Sequence, residues 1–96
     1  MSVEKSLPRI KTDVVWTQVA EGAVLFSTSQ ELYYGANHVA AFVWEQLQSS
    51  TASFDDLCIA VRERFPDAPA EEVPTDVREL LEDFARHGLV AVDAAA

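Results

Sequence analysis

The sequence is poor in the residues that usually announce a chemistry. It has one cysteine, three glycines, two histidines and seven basic side chains in 96 residues. A single cysteine, Cys58, excludes an intramolecular disulfide and any cysteine cage for a metal. Gly22, Gly35 and Gly88 stand far apart, so neither a dinucleotide fingerprint nor a phosphate loop can be assembled from them. No apolar run approaches the roughly 18–20 residues that span a bilayer. Met1 to Lys11 lacks the apolar centre of a secretory signal. The expectation is a reduced, cytoplasmic setting. Positive charge is scarcest where it would matter most. Sixteen Asp and Glu oppose the seven Lys and Arg, a net charge of −9. Residues 1–52 hold three basic and five acidic groups, a balance of −2, and residues 53–96 hold four and eleven, a balance of −7. Each phosphate contact needs a cation, so nucleic acid and anionic membranes are expected not to be partners.

What is present is a core. Hydrophobic residues make up 49% of the chain, enough for one small domain and too much for a disordered one. Residues 1–12 are polar and read as a flexible tail, residues 13–92 as the domain, and residues 93–96 as a frayed end. Val14 to Val19 is rich in β-branched and aromatic residues, with Val15, Thr17 and Val19 on one face. Ala20-Glu21-Gly22 supplies a turn into a second strand, Ala23 to Ser27. Glu31 to Tyr34 forms a third, stopped at Gly35. With connections this short, the three strands form an antiparallel meander.

The apolar period then becomes helical. Asn37 is placed to cap a first helix whose face is Ala40, Val43, Trp44 and Leu47. Ser53, with Asp56 three residues on, opens a second helix carrying Phe54, Leu57, Cys58, Val61 and Phe65, which Pro66 to Pro69 ends. A third helix carries Val73, Val77, Leu80, Leu81 and Phe84 on one side and Glu79, Glu82, Asp83 and Arg86 on the other. Gly88 serves as its C′ residue. Its start is either Pro69 at the first helical position or Thr75, since Pro74 would cost a hydrogen bond in a helix interior. Leu89 to Val92 is a short strand or a packed tail. The fold class is α+β, a three-stranded antiparallel sheet followed by three helices.

No catalytic constellation emerges. His38 opens one helix and His87 ends another, with no metal-binding spacing between them. Cys58 lies on an apolar helix face with no cation placed to activate it, which predicts an inert thiol. Asp55-Asp56, Glu71-Glu72 and Glu82-Asp83 are adjacent pairs, and neighbours in sequence do not face each other on a helix. The expectation is no catalytic residue, no metal and no cofactor. A binding surface remains. A three-stranded meander leaves an open edge, which must be managed or used. On the third strand Tyr33 and Tyr34 point to opposite faces, so both do not enter the core. Either one is core and the other shields the edge, or the pair marks a peptide groove.

The stretch from Ala23 to Leu47 resembles the PqqD family of peptide-recognition domains in ribosomal-peptide biosynthesis. The resemblance lies in the apolar strand Val24–Phe26, the turn Thr28–Gln30, the aromatic strand Leu32–Tyr34, then Asn37, Ala40, Val43-Trp44 and Leu47. Phe54 to Leu57 and Leu80-Leu81 to Gly88-Leu89 extend it to roughly residues 13–92. The resemblance implies a winged-helix-like domain and a non-catalytic adaptor. In the family a precursor's leader segment adds as a strand beside the third strand, packs against the third helix, and is presented to a modifying enzyme. That enzyme would be a radical-SAM protein, or the protease and cyclase of lasso-peptide assembly. The implied peptide-binding residues are Leu32, Tyr33 and Tyr34 on the strand and Val73, Asp76, Val77, Leu80 and Phe84 toward the helix. Asp76 and Asp83 are placed to hold a Lys or Arg of the leader. The alternative is a winged-helix DNA-binding regulator, which the acidic third helix disfavours. A subunit that self-pairs through the open edge is a third reading, and the expected state is a monomer or weak dimer.

Overall fold

The structure is a computed structural model that describes residues 7–49 and 53–91. Five strands and three helices follow in the order β1 (Arg9–Ile10), β2 (Val14–Val19), β3 (Gly22–Ser27), β4 (Leu32–Ala36), α1 (His38–Gln48), α2 (Phe54–Arg64), α3 (Val73–Arg86) and β5 (Val90–Ala91). The expected meander is β2-β3-β4, antiparallel throughout. Its two-residue hairpin closes on the pair Val19↔Gly22. Gly22 has φ +148°, and a Cβ there would lie 2.0 Å from the Ala36 carbonyl oxygen. Only glycine lets β3 pass so close to the end of β4.

Three boundaries differ from expectation, two of them at the sheet. Residues 7–12 are not a loose tail. Arg9 and Ile10 pair antiparallel with Ala91 and Val90, Leu7 and Ile10 pack on the core, and Lys11 N–H donates to the Leu89 carbonyl. Residues 1–6 and 93–96, also expected to be loose, lie outside the described residues. The strand expected over Glu31–Tyr34 runs instead over Leu32–Ala36, because Glu31 takes φ +57° in the turn.

Helix caps follow from the sequence. The Asn37 side chain accepts from Ala40 N–H at 2.9 Å, and the Ser53 hydroxyl from Asp56 N–H at 3.1 Å. Neither expected start of α3 is observed. A 3-10 turn at Ala70–Glu72 leads into Val73, which puts Pro74 in the first helical turn, where a missing N–H leaves no bond unmade. At the other end Gly88, at φ +72°, donates to the Ala85 carbonyl, and Leu89 to that of Phe84. These two bonds form a Schellman motif that turns the chain into β5.

The core lies between the inner sheet face and the helices. Leu25, Val43, Trp44, Leu57, Val77 and Phe84 are fully buried. Trp44 meets Phe84 edge-on at 5.5 Å between ring centroids. The Trp44 indole N–H has no acceptor among the described residues. Such a group costs about 1–3 kcal/mol, which burial of the large ring offsets. The face carrying Val15, Thr17 and Val19 turns outward, where Val15 and Tyr33 remain exposed and Tyr33 stacks on Phe26 at 4.6 Å.

Candidate peptide-binding site

β4 has β3 as its one neighbour in the sheet. The N-terminal strand pairs with β5, so among the described residues no strand pairs with the other edge of β4. The ladder shows which backbone groups that edge presents. Thr28 N–H donates to the Asp13 carbonyl just past the pair Val14↔Ser27. By antiparallel alternation Ala23, Leu25 and Ser27 therefore bond toward β4, and on β4 their partners Ala36, Tyr34 and Leu32 bond back. Tyr33 and Gly35 point their N–H and C=O groups outward. Gly35 is exposed, and a Cβ there would meet nothing within 4 Å.

A groove of about 520 Å³ continues from the end of β4. One side is Asn37 and Val39 at the start of α1, and the other is Asp76, Glu79, Leu80, Glu82, Asp83 and Arg86 of α3. Tyr34 ties the strand to this helix. Its ring meets Phe84 at 5.5 Å and His87 at 4.9 Å, both edge-on, and its hydroxyl donates to Asp83 Oδ2 at 3.1 Å. Arg86 pairs with the other oxygen of the same carboxylate. His87 Nδ1 lies 2.8 Å from the Asp83 carbonyl oxygen, so with that nitrogen protonated it donates there.

Burial, and then the bond to Asp83, push the Tyr34 phenol from its ordinary value of 10.0 up to about 12. A phenol that stays protonated in the folded chain but ionises near 10 in the unfolded one adds stability at lower pH. That stability is lost as pH climbs from 10 to 12. Tyr34→Phe keeps the ring and removes the donor. It is expected to cost about 1 kcal/mol at pH 7 and to flatten the alkaline loss, read by urea unfolding at pH 9 and 11. Equal alkaline losses in both proteins would place the titration elsewhere.

Of the residues expected from sequence, the structure brings Asp76, Leu80 and Asp83 into the groove and puts Leu32, Tyr33 and Tyr34 on the edge strand. Val73, Val77 and Phe84 are corrected. At 2%, 0% and 0% exposed they are core residues, beneath the groove and not in it. They share the apolar stripe of α3 with Leu80, and a stripe does not say which of its members reaches the rim. Asn37, Val39, Glu79, Glu82 and Arg86 were not expected in the site. Glu79 stands three residues from Asp76, Glu82 three from Glu79 and Arg86 four from Glu82, so helical spacing links all three to Asp76 in one chain of neighbours.

The other chemically capable groups stand apart. Cys58 is buried, and burial pushes its thiol up, away from reactivity. His38 is exposed at the opening of α1. Among the described residues no three His, Cys, Asp or Glu side chains gather to hold a metal, and no helix is long and apolar enough to cross a membrane. The arrangement offers backbone pairing and a charged groove.

Residues 22–90 match the family model of coenzyme PQQ synthesis protein D (PqqD). Among solved structures, TbiB1 in complex with the TbiA(beta) leader peptide aligns with a TM-score of 0.79 at 21% identity, covering 90% of this chain and 98% of that one. A lasso peptide synthetase B1 complexed with the leader peptide aligns with a TM-score of 0.78 at 17% identity, covering 91% and 100%. At these identities the likeness is one of fold. No curated protein matches the chain. The family match spans the sheet from Gly22, all three helices and the strand at Val90, and on that ground the chain belongs to the PqqD family.

Proposed function

We propose that this protein is a non-catalytic adaptor. It holds the leader segment of a ribosomally made precursor peptide as a fourth strand on the edge of β4. It thereby presents the rest of that peptide to a modifying enzyme, either a radical-SAM protein or a lasso-type protease and cyclase. The observation that carries this reading is the unpaired edge at Tyr33 and Gly35, which opens beside the groove along α3. Backbone bonds to the edge give affinity, and side chains entering the groove give register. The PqqD membership and the leader-peptide complexes of its structural neighbours support it. Tethering a substrate beside a separate enzyme raises its local concentration, so the adaptor itself needs no reactive group.

The test is a titration at physiological salt with labelled leader segments of short precursor-like reading frames beside the gene, and with duplex DNA as a second ligand. Micromolar binding of a leader, with no binding of DNA, is the expected result. Binding of DNA without any leader would turn the assignment to a winged-helix regulator.

A further inference from the structure

We propose that the groove selects its peptide by positive charge. The segment added along β4 presents Lys or Arg at alternating positions, and Asp76, Glu79 and Glu82 of α3 receive them. This rests on the strand-addition reading and adds the side-chain chemistry that the peptide must carry.

Four carboxylates and one guanidinium line the groove, a net charge of −3. The single guanidinium, Arg86, is already held by Asp83, whose second oxygen takes the Tyr34 hydroxyl. The groove therefore contains one instance of the contact in question, made within the chain itself. Asp76, Glu79 and Glu82 are exposed, and their side chains form no hydrogen bond or ion pair with any described residue. No cation of this chain among the described residues meets them.

The spacing suits an extended ligand. Side chains on one face of a strand recur about every 6.6–6.8 Å. Successive turns of a helix recur about every 5.4 Å. Asp76, Glu79 and Glu82 follow at three-residue steps, about 4.5 Å of rise each, so their span of about 9 Å faces two alternate residues of an added strand. An acidic peptide of the same length would meet repulsion at each turn. Because the acids are exposed, each pair contributes modestly and is screened by salt. The effect is one of selection and of salt dependence.

Three labelled 12-residue probes test this, each alternating Val with Lys, Gln or Glu. Binding is followed by fluorescence anisotropy to the full chain at about 50 and 500 mM salt. The Lys probe is expected to bind about tenfold more tightly than the Gln probe at low salt, and the Glu probe more weakly than either. The advantage should vanish at high salt and in the combined variant Asp76→Asn, Glu79→Gln, Glu82→Gln. It should survive in a charge-matched control away from the groove, Glu63→Gln, Asp67→Asn, Glu71→Gln. Equal affinity for the Lys and Gln probes would overturn the proposal and leave strand addition standing. Equal damage from the control variant would assign the preference to the general acidity of the protein, and overturn it as well. If none of the probes binds, the strand-addition reading falls and the charge selection with it.

Discussion

Gly35→Pro is expected to weaken leader binding about 30-fold, while Gly35→Ala changes it little. The two variants differ in one group that matters. Gly35 directs its N–H away from β3, so proline removes no bond from the existing ladder, and an edge strand tolerates it. An added strand would lose one donor, and its own carbonyl facing that position would be left unpaired. Together these cost about 2 kcal/mol, which is roughly 30-fold in Kd. Alanine keeps the N–H, and its Cβ projects into open space. Titration with a leader segment, alongside thermal melts of both variants, gives the answer. A proline variant that melts near the parent temperature and binds as the parent does would show that the peptide does not use this edge.

The largest effect on stability is expected from Phe84→Ala, a loss of about 4 kcal/mol. Phe84 is fully buried and its ring meets both Trp44 and Tyr34 edge-on, so truncation opens a cavity where α3, α1 and β4 converge. A domain of this size has roughly 5–14 kcal/mol in all. Unfolding of Phe84→Ala by urea should therefore begin at much lower concentration than in the parent. Leu80→Ala is the comparison. Leu80 is only partly buried and lines the groove, so its truncation should reduce leader affinity while leaving the unfolding midpoint closer to the parent. If Phe84→Ala kept its stability and lost only binding, the residue would belong to the groove after all.

These two phenylalanine and leucine positions show where sequence reasoning stops. The period of α3 marks Val73, Val77, Leu80 and Phe84 as one apolar side, and that much is legible in the chain. Which of them lies beneath the rim depends on how α3 sits against β4, and the contacts that join the two, such as Tyr34 with Asp83 across 49 residues, are long-range. Local signals fared better. Asn37, Ser53 and Gly88 each satisfy a backbone group within a few residues, so their roles are written in short stretches of sequence. The meander was legible for the same reason, since its turns are short. The pairing of Arg9 and Ile10 with Val90 and Ala91 was not. Two residues are too few to show alternation, and their partners lie about 80 positions away. The acidic face of α3 was visible as charge, but only the fold shows that it borders a groove continuing from the open edge.

The clasp between β1 and β5 has a consequence for how the domain can be handled. It brings the first and last described strands side by side, so the path from Arg9 to Ala91 is close to a closed ring. Folds of that shape depend on continuity of the loop more than on where it is cut. A short linker could join the two strands and new termini could be opened in the exposed Pro66–Pro69 connection, far in sequence from the strand edge. By the same geometry, the domain could be spliced into a surface loop of a larger enzyme, entering and leaving through a single gap.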